Sequence, residues 1–176
     1  DLPCYVDVDN VAAAEAVTRR LVAAGRRRIA TVAGPRDMGA GVDRLTGWRQ
    51  ALAEASQPDD LVEHGDFTPA SGAAAARRLL QRGETFDGLF VASAQMASGA
   101  LAVLREHGIE VPRDLGLVTV DDDYFATTSA PALTTVRQPT LELGRTVAGV
   151  LIDLVEGRPV ERVTILPTAV VARGSE

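Results

Sequence analysis

Residues 86–123, FDGLFVASAQMASGALAVLREHGIEVPRDLGLVTVDDD, decide the fold. The stretch predicts a strand at 89–92, a helix over 95–107 that Gly108 ends, and a second strand at 115–120. The second strand is almost entirely apolar, which indicates that both faces of its sheet are covered. Two buried strands joined by a helix are typical of a parallel crossover, so we expect a parallel sheet.

Upstream of this stretch, short apolar runs continue to alternate with helical segments. In chain order they are a strand at 5–8, a helix that Asn10 caps and that runs to about residue 24, a strand at 29–33, a helix over about 43–55, a strand at 61–64 and a helix from Thr68-Pro69 to about residue 81. Helices that alternate with buried strands cover both faces of one sheet. The predicted fold class is therefore α/β, with a doubly wound parallel sheet.

The alternation changes after Asp121. A loop leads to a strand at 133–136, Pro139-Thr140 opens a helix that runs to about residue 156, and two strands follow at 162–166 and 169–172. The long helix carries a wide apolar stripe at helical spacing, formed by Leu143, Val147, Val150, Leu151, Leu154 and Val155. Because the main sheet already has its helices, this stripe predicts a second lobe whose sheet lies mostly outside the sequence.

Composition excludes several classes of protein. The chain has 176 residues and a net charge of −6, which argues against a surface that binds nucleic acid, and its arginine pairs and triplets lie near helix ends. All 18 basic residues are arginines. Without lysine, a Schiff-base enzyme, a pyridoxal-phosphate enzyme and a P-loop nucleotidase each lack their essential amine. We therefore predict that the chain is not an enzyme.

Metal and cofactor sites are not predicted either. Cys4 is the single cysteine, and with His64 and His107 it gives no zinc-ligand spacing. We expect an inert thiol, no metal and no cofactor. The sequence shows no secretory leader and no apolar run long enough to cross a bilayer, and its start at Asp1 suggests a fragment or a trimmed product.

Candidate binding residues follow the ends of the predicted strands. In an open parallel sheet, ligands bind in the crevice beyond the carboxyl ends of the strands. Arg44, Phe67, Ser93 and Asp121 all follow such ends. A guanidinium, an aromatic ring, a hydroxyl and a carboxylate together suit a polyhydroxylated or heterocyclic ligand.

Each of these residues has a plainer interpretation. Arg44 could pair with a carboxylate on a neighbouring loop, and Phe67 could belong to the core, where we also place Trp48. The run Asp121-Asp122-Asp123 after an apolar strand is similar to the haloacid-dehalogenase phosphotransferases, which also need a lysine, or it could be a solvated strand exit.

Ordered segments along the whole chain resemble the LacI/GalR family of transcriptional regulators. The segments are VDVDN (6–10), RRIATVAGP (27–35), DRLTGW (43–48), GDF (65–67), FDGLFVAS (86–93), LGLVTVDD (115–122), PALTTVRQP (131–139), LPT (166–168) and RGS (173–175). Any one of them is weak, but the series in this order is specific.

The resemblance implies roles for individual residues. Arg44 matches the effector-contacting arginine of an R-x-x-G motif, Asp121 the aspartate that binds effector hydroxyls, Phe67 an aromatic residue of the pocket, and Gln138 a residue at the hinge crossover near the ligand. The chain departs from the family pattern at Ser93, where many members have Asn or Asp, and at Thr119-Val120, where the family has Gly and an aromatic residue. These departures leave the identity of the effector open.

The family's organisation implies a periplasmic-binding-protein-like fold of type I, with a carboxyl-terminal lobe and an incomplete amino-terminal lobe. We assign 11–132 and 168–176 to the carboxyl-terminal effector-binding lobe. We assign 1–10 and 133–167 to a remnant of the amino-terminal lobe and the hinge crossovers. The DNA-binding headpiece of the family has no counterpart in this sequence.

The resemblance implies a cytoplasmic, homodimeric regulator without membrane contact. A small sugar-like or polyol effector would bind between the lobes and change the affinity for operator DNA, which the headpiece contacts. The alternative is a periplasmic sugar-binding protein of an ABC transporter, which shares the fold.

Overall fold

The computed structural model describes residues 4–176, so residues 1–3 of the predicted 1–10 segment lie outside the described residues. Helices and strands alternate as far as β5, as the sequence predicts. The elements are β1 (Tyr5–Val8), α1 (Asn10–Ala23), β2 (Ile29–Ala33), α2 (Gly39–Glu54), β3 (Val62–His64), α3 (Pro69–Gln81), β4 (Gly88–Val91), α4 (Ala94–Glu106), β5 (Gly116–Val120), α5 (Tyr124–Thr128), β6 (Thr134–Arg137), α6 (Thr140–Val155), β7 (Val163–Leu166) and β8 (Ala169–Val171).

The main sheet has six strands in the order β3-β2-β4-β5-β6-β8, and all neighbours are parallel except β6 and β8. Helix α1 packs against α2, and α3 packs against α4. The chain moves outward from β2 to β3 and then returns past β2 to β4, so right-handed crossovers place the two helix pairs on opposite faces. Every residue of β2, β4 and β5 is buried. The predicted doubly wound α/β fold is confirmed.

A second, two-stranded sheet pairs β1 with β7 in parallel register, with Tyr5 opposite Val163. Helix α6 lies against β1, yet none of its residues is buried. The predicted apolar stripe of α6 therefore stays largely uncovered, and Leu151 and Val155 are 58% and 80% exposed.

The boundary proposed between residues 132 and 133 does not follow the boundary between the two sheets. β6 pairs with β5 through Thr134 opposite Val118, so residues 134–137 lie in the large sheet rather than with the remnant. The sequence could not indicate this, because a short strand such as TTVR suits either sheet. How the chain divides into domains stays a prediction.

Three local details also differ from prediction. Helix α2 begins at Gly39, four residues before the expected start, because the turn before it holds no capping side chain that would mark its beginning. The cap of α1 is Asp9, whose carboxylate accepts the Ala12 N–H at 2.9 Å, while Asn10 is the first helical residue. The short helix α5 was not predicted, and the Asp123 carboxylate caps it by accepting the Ala126 N–H at 2.9 Å.

Candidate functional site

The predicted binding residues meet at the carboxyl edge of the large sheet. Arg44 projects from α2 after β2, Asp121 directly follows β5, and Gln138 directly follows β6. Adjacent parallel strands end at the same edge, so the loops after β2, β4, β5 and β6 border one crevice.

Arg44 is a buried cation, with its side chain 7% exposed. Its Nη1 donates to the Ala92 carbonyl at 2.7 Å, and its Nε donates to Oδ1 of Asn10 at 2.9 Å. Burial lowers the pKa of the guanidinium from its usual range, and the carboxylates of Asp121 and Asp7 oppose this change. Arginine still keeps its charge at neutral pH, so the site holds a fixed positive charge.

Asp121 is the anionic partner of Arg44 across the crevice. The distance from Arg44 Nη1 to Asp121 Oδ2 is 3.8 Å, which is an ion pair without a direct hydrogen bond. The other oxygen, Oδ1, accepts a hydrogen bond from Nε2 of Gln138. The Asp121 side chain is 34% exposed, so a ligand can reach its carboxylate from solvent.

Phe67 lies beside this pair. Its ring centroid is 5.8 Å from Arg44 Cζ, within the range of a cation–π contact. The ring also explains the glycine of the AGP segment, because a Cβ on Gly34 would approach the ring to 2.5 Å. Phe67 packs against the core while half-buried, as its plainer interpretation expects, and its role in the effector pocket stays a prediction.

Two of the candidate site residues, Phe67 and Asp121, have a strained backbone conformation. Among residues 4–176, Ser56, Phe67 and Asp121 are the non-glycine residues with positive φ, and the values are 68° for Phe67 and 80° for Asp121. Such conformations are costly for side chains with a Cβ and cluster at binding sites. The strain therefore supports the assignment of this edge as the functional site.

Ser93 has a capping role. It is 4% exposed, and its hydroxyl accepts the Met96 N–H at 3.2 Å as the cap of α4. The contact occupies one of the two acceptor positions of the hydroxyl. Its role in effector binding stays a prediction.

The other two aspartates after β5 are structural. Asp122 is 5% exposed at its side chain, and it pairs with Arg137 at 2.7 Å and with Arg173. Asp123 caps α5 and accepts from Nε2 of Gln95 at 2.9 Å. A solvated strand exit does not describe Asp122. No group of three or more His, Cys, Asp or Glu residues among the described positions could hold a metal ion, so the phosphotransferase interpretation gains no support.

A cavity of about 380 Å³ adjoins Asp121 at this edge. Arg44, Phe67 and Ser93 do not line it, and its lining residues are Asp121, Asp122, Asp123, Arg137, Gln138 and Thr140. A cavity of similar size, about 390 Å³, lies beyond the end of α4, between Leu101 and Pro131. That second cavity is at the amino edge of the strands, where α/β sheets do not place ligands, whereas the first adjoins the predicted residues Asp121 and Gln138 and is therefore the candidate site.

Known proteins share the sequence pattern and the fold of this chain. The model of the periplasmic binding protein-like domain matches residues 18–176. The transcriptional regulator CelR of Thermobifida fusca is 46% identical over 174 residues. This chain belongs to the LacI/GalR family.

Further LacI/GalR relatives give the same result. The regulator AscG of Escherichia coli is 35% identical over 139 residues, which is 78% of this chain. A solved structure described as a transcriptional regulator CelR–cellobiose complex superimposes with a TM-score of 0.95 at 45% identity, and the match covers 98% of this chain and 54% of that one. The chain spans about half the length of the relatives that it matches, 51% of CelR and 41% of AscG.

Two predictions are settled at the level of the family. The resemblance to LacI/GalR regulators is confirmed, and so is the prediction that the chain is not an enzyme, since the relatives are transcriptional regulators. They also favour a regulator over the periplasmic transport protein that we considered as the alternative. Among residues 4–176, no helix has the length and apolar character that a membrane crossing requires.

The structure explains the R-x-x-G motif of this LacI/GalR chain. Gly47 faces α1, and a Cβ there would come within 2.1 Å of the Val11 carbonyl oxygen. Glycine therefore lets α1 and α2 approach closely, and this approach brings Asn10 to Arg44. Sequence reasoning missed Asn10 as a site residue, because an asparagine at the start of a helix indicates a cap. The one feature of the sequence that could have indicated a role for Asn10 is that it ends the VDVDN segment, one of the segments that resemble the family.

Proposed function

We propose that the chain is the effector-sensing part of a cytoplasmic bacterial transcriptional regulator, and that its effector is an uncharged oligosaccharide bound beside Arg44 and Asp121. The observation that carries the proposal is the incompletely matched pair of opposite charges at the strand ends. Arg44 Nη1 and Asp121 Oδ2 are 3.8 Å apart, close enough to neutralise each other and too far apart to saturate their hydrogen bonds.

Such a pair favours a neutral, hydroxyl-rich guest. A sugar hydroxyl can donate to the carboxylate and accept from the guanidinium, whereas a charged ligand would leave one member of the pair without its counterion. Nη2 of Arg44 makes no hydrogen bond to any residue in the described range, so it remains available as a donor. The Phe67 ring, half-buried beside the pair, can pack on the C–H face of a sugar ring.

The size of the site and the relatives narrow the class of ligand. The cavity of about 380 Å³ at Asp121 falls within the range of small-molecule sites, about 300–1,000 Å³. The similar CelR structure is described as a complex with cellobiose. We therefore propose a β-linked glucose disaccharide or a close analogue, and cellobiose is the first sugar to test.

The response to ligand follows from the connections between the two sheets. The chain passes from one sheet to the other at Asp9, at Gln138-Pro139 and between β7 and β8. Gln138 donates to Asp121, so one crossover already touches the site. A ligand that binds one arrangement of the lobes more tightly shifts the population toward it, and we propose that this shift changes dimer geometry and operator affinity.

Calorimetric titration of the full-length protein with cellobiose tests the proposal. We expect saturable binding and a rise in melting temperature with sugar concentration. Asp121→Asn removes the anionic acceptor, and the Kd should rise about 100-fold, because a hydrogen bond to a charged group is lost. The matched control is Arg49→Ala on the same helix as Arg44, since the Arg49–Asp59 pair is exposed on both sides and should leave the Kd unchanged.

Two results would contradict the proposal. The ligand class is wrong if neither cellobiose nor other neutral di- and oligosaccharides raise the melting temperature. The site is wrong if Asp121→Asn binds cellobiose as tightly as the parent protein. Operator affinity, measured by fluorescence anisotropy with and without the sugar, tests the regulatory step separately.

A further inference from the structure

Asn10 occupies the crossover between the two sheets. It follows β1 of the small sheet and Asp9, and it is the first residue of α1, which packs against β5 and β6 of the large sheet. This position is one of the three places at which the described part of the chain passes between the two sheets. Asn10 is nevertheless 3% exposed, so it is embedded in the molecule rather than in a solvated hinge.

The side chain of Asn10 faces a cation on one side and acceptors on the other. Its Oδ1 accepts from Arg44 Nε at 2.9 Å in a buried hydrogen bond. Its amide nitrogen lies 3.4 Å from the Val8 carbonyl oxygen and 3.4 Å from Oδ1 of Asp7. The amide therefore links the effector-site arginine to the last residues of β1.

Asparagine is suited to this place for a chemical reason. A neutral acceptor fixes the guanidinium without cancelling its charge, so the charge of Arg44 remains available to Asp121, 3.8 Å away. An amide also donates to Val8, which a carboxylate cannot do. With Nε bound to Asn10 and Nη1 bound to Ala92, the plane of the guanidinium is fixed by two hydrogen bonds.

We propose that Asn10 is a positioning residue for the effector. It orients the Arg44 guanidinium, and it makes the orientation depend on where β1 lies relative to α1. This inference rests on the proposed function, in which Arg44 contacts the ligand. The same contact couples ligand binding to the β1–α1 crossover, because a ligand that requires one orientation of Arg44 also selects one position of Asn10.

The orientation of Arg44 can be tested without any ligand. In the ¹H–¹⁵N spectrum of the full-length protein, the Arg44 Nε–H resonance, assigned through Arg44→Lys, should exchange slowly with water because it is buried and hydrogen-bonded. Asn10→Ala should shift the resonance and accelerate its exchange. Asn10→Asp keeps an acceptor at the same place and should preserve slow exchange. An unchanged Arg44 resonance in Asn10→Ala overturns the proposal.

Binding of cellobiose supplies the second readout, as a double-mutant cycle. Asn10→Ala should raise the Kd about 10-fold or more in the parent protein, as expected for a lost hydrogen bond to a charged group. In an Arg44→Lys background, where no Nε exists, the same change should raise the Kd by less than about 3-fold. Asn10→Asp keeps an acceptor for Arg44 Nε, but it neutralises the guanidinium and cannot donate to Val8, so it should not restore the affinity lost in Asn10→Ala.

The outcomes separate the two proposals. An equal loss of affinity in both backgrounds shows that Asn10 acts through the fold rather than through Arg44, and the positioning role is then wrong. The positioning role is also wrong if Asn10→Ala lowers the melting temperature while the Kd stays unchanged. If the parent protein binds no sugar, the proposed function fails, and the Arg44 resonance in Asn10→Ala still decides whether Asn10 orients the guanidinium.

Discussion

The large sheet and the small sheet of this chain bury their apolar residues to very different degrees. In the six-stranded sheet, helices cover both faces, and β2, β4 and β5 are buried along their whole length. In the two-stranded sheet, Val163 and Ile165 of β7 are 43% and 47% exposed, and α6 has no buried residue. Both regions contain apolar strands and helices, so composition alone does not distinguish a covered apolar surface from an exposed one.

The difference shows which part of the chain supports its own stability. Free energy is gained when apolar surface leaves water, at about 25 cal/mol per Å². The large sheet and its helices obtain this gain from residues within the chain. The small sheet and α6 obtain little of it within the chain, because their apolar faces stay exposed. Substitutions in the two regions should therefore differ in their effect on stability.

The largest effect is expected at Trp48 in the core of the large sheet. Trp48 is fully buried on α2, in the cluster that joins the helices to the sheet. Trp48→Ala removes a large buried side chain and leaves a cavity, which should lower the free energy of unfolding by about 3–5 kcal/mol. Urea denaturation followed by circular dichroism measures this change. A loss below about 1 kcal/mol would show that the core tolerates the cavity and that the contrast between the two regions is weaker than the burial suggests.

Asp122 provides the next test. Its side chain is buried and paired with arginines, whereas the side chain of its neighbour Asp121 is partly exposed in the crevice. Burial alone would raise the pKa of Asp122, but hydrogen bonds from Arg137 and Arg173 outweigh burial and hold the pKa below its usual value. Asp122→Asn should lower the free energy of unfolding by about 2 kcal/mol. That is less than the about 3–5 kcal/mol typical of a fully buried pair, because Arg137 is 61% exposed.

The depressed pKa also predicts a dependence on pH. A carboxyl group whose pKa is lowered by folding contributes stability that is fully present above its unfolded pKa, about 3.9, and is lost as the pH falls through the folded value. The parent protein should therefore lose part of its stability below about pH 4, and Asp122→Asn should lose less over the same range. Urea titrations between pH 3 and pH 7 measure both. Equal slopes in the two proteins would refute the role of Asp122.

Secondary structure is predicted from the sequence most accurately in the core of the large sheet. The strand–helix–strand unit of residues 86–123 appears within one residue of its predicted bounds, because a buried parallel strand carries an apolar run and Gly108 ends the helix clearly. The start of α2 and the short helix α5 were less predictable. One begins without a capping side chain, and the other has only five residues and depends on a single cap.

The candidate site was predictable in its main residues and not in its supporting contacts. Position after a strand pointed to Arg44 and Asp121, which the fold brings to 3.8 Å. The burial of Arg44 and its hydrogen bond to Asn10 depend on the close approach of α1 and α2 at Gly47, which is a property of the packed structure. Burial also gives Arg44 a role in stability. Arg44→Ala should reduce stability as well as ligand binding, because Asn10 and Ala92 each lose a buried partner.

The smallest effect is expected on α6, and it completes the comparison with Trp48. Leu151 is 58% exposed, so Leu151→Ala removes little buried surface. The change should alter the free energy of unfolding of the chain by at most about 0.5 kcal/mol. Urea denaturation of Leu151→Ala and Trp48→Ala under the same conditions compares the changes in the free energy of unfolding of the two variants. A loss comparable with that of Trp48→Ala would mean that another surface covers α6 in solution, either a second copy or a further part of the protein. A dependence of the loss on protein concentration would identify the second copy.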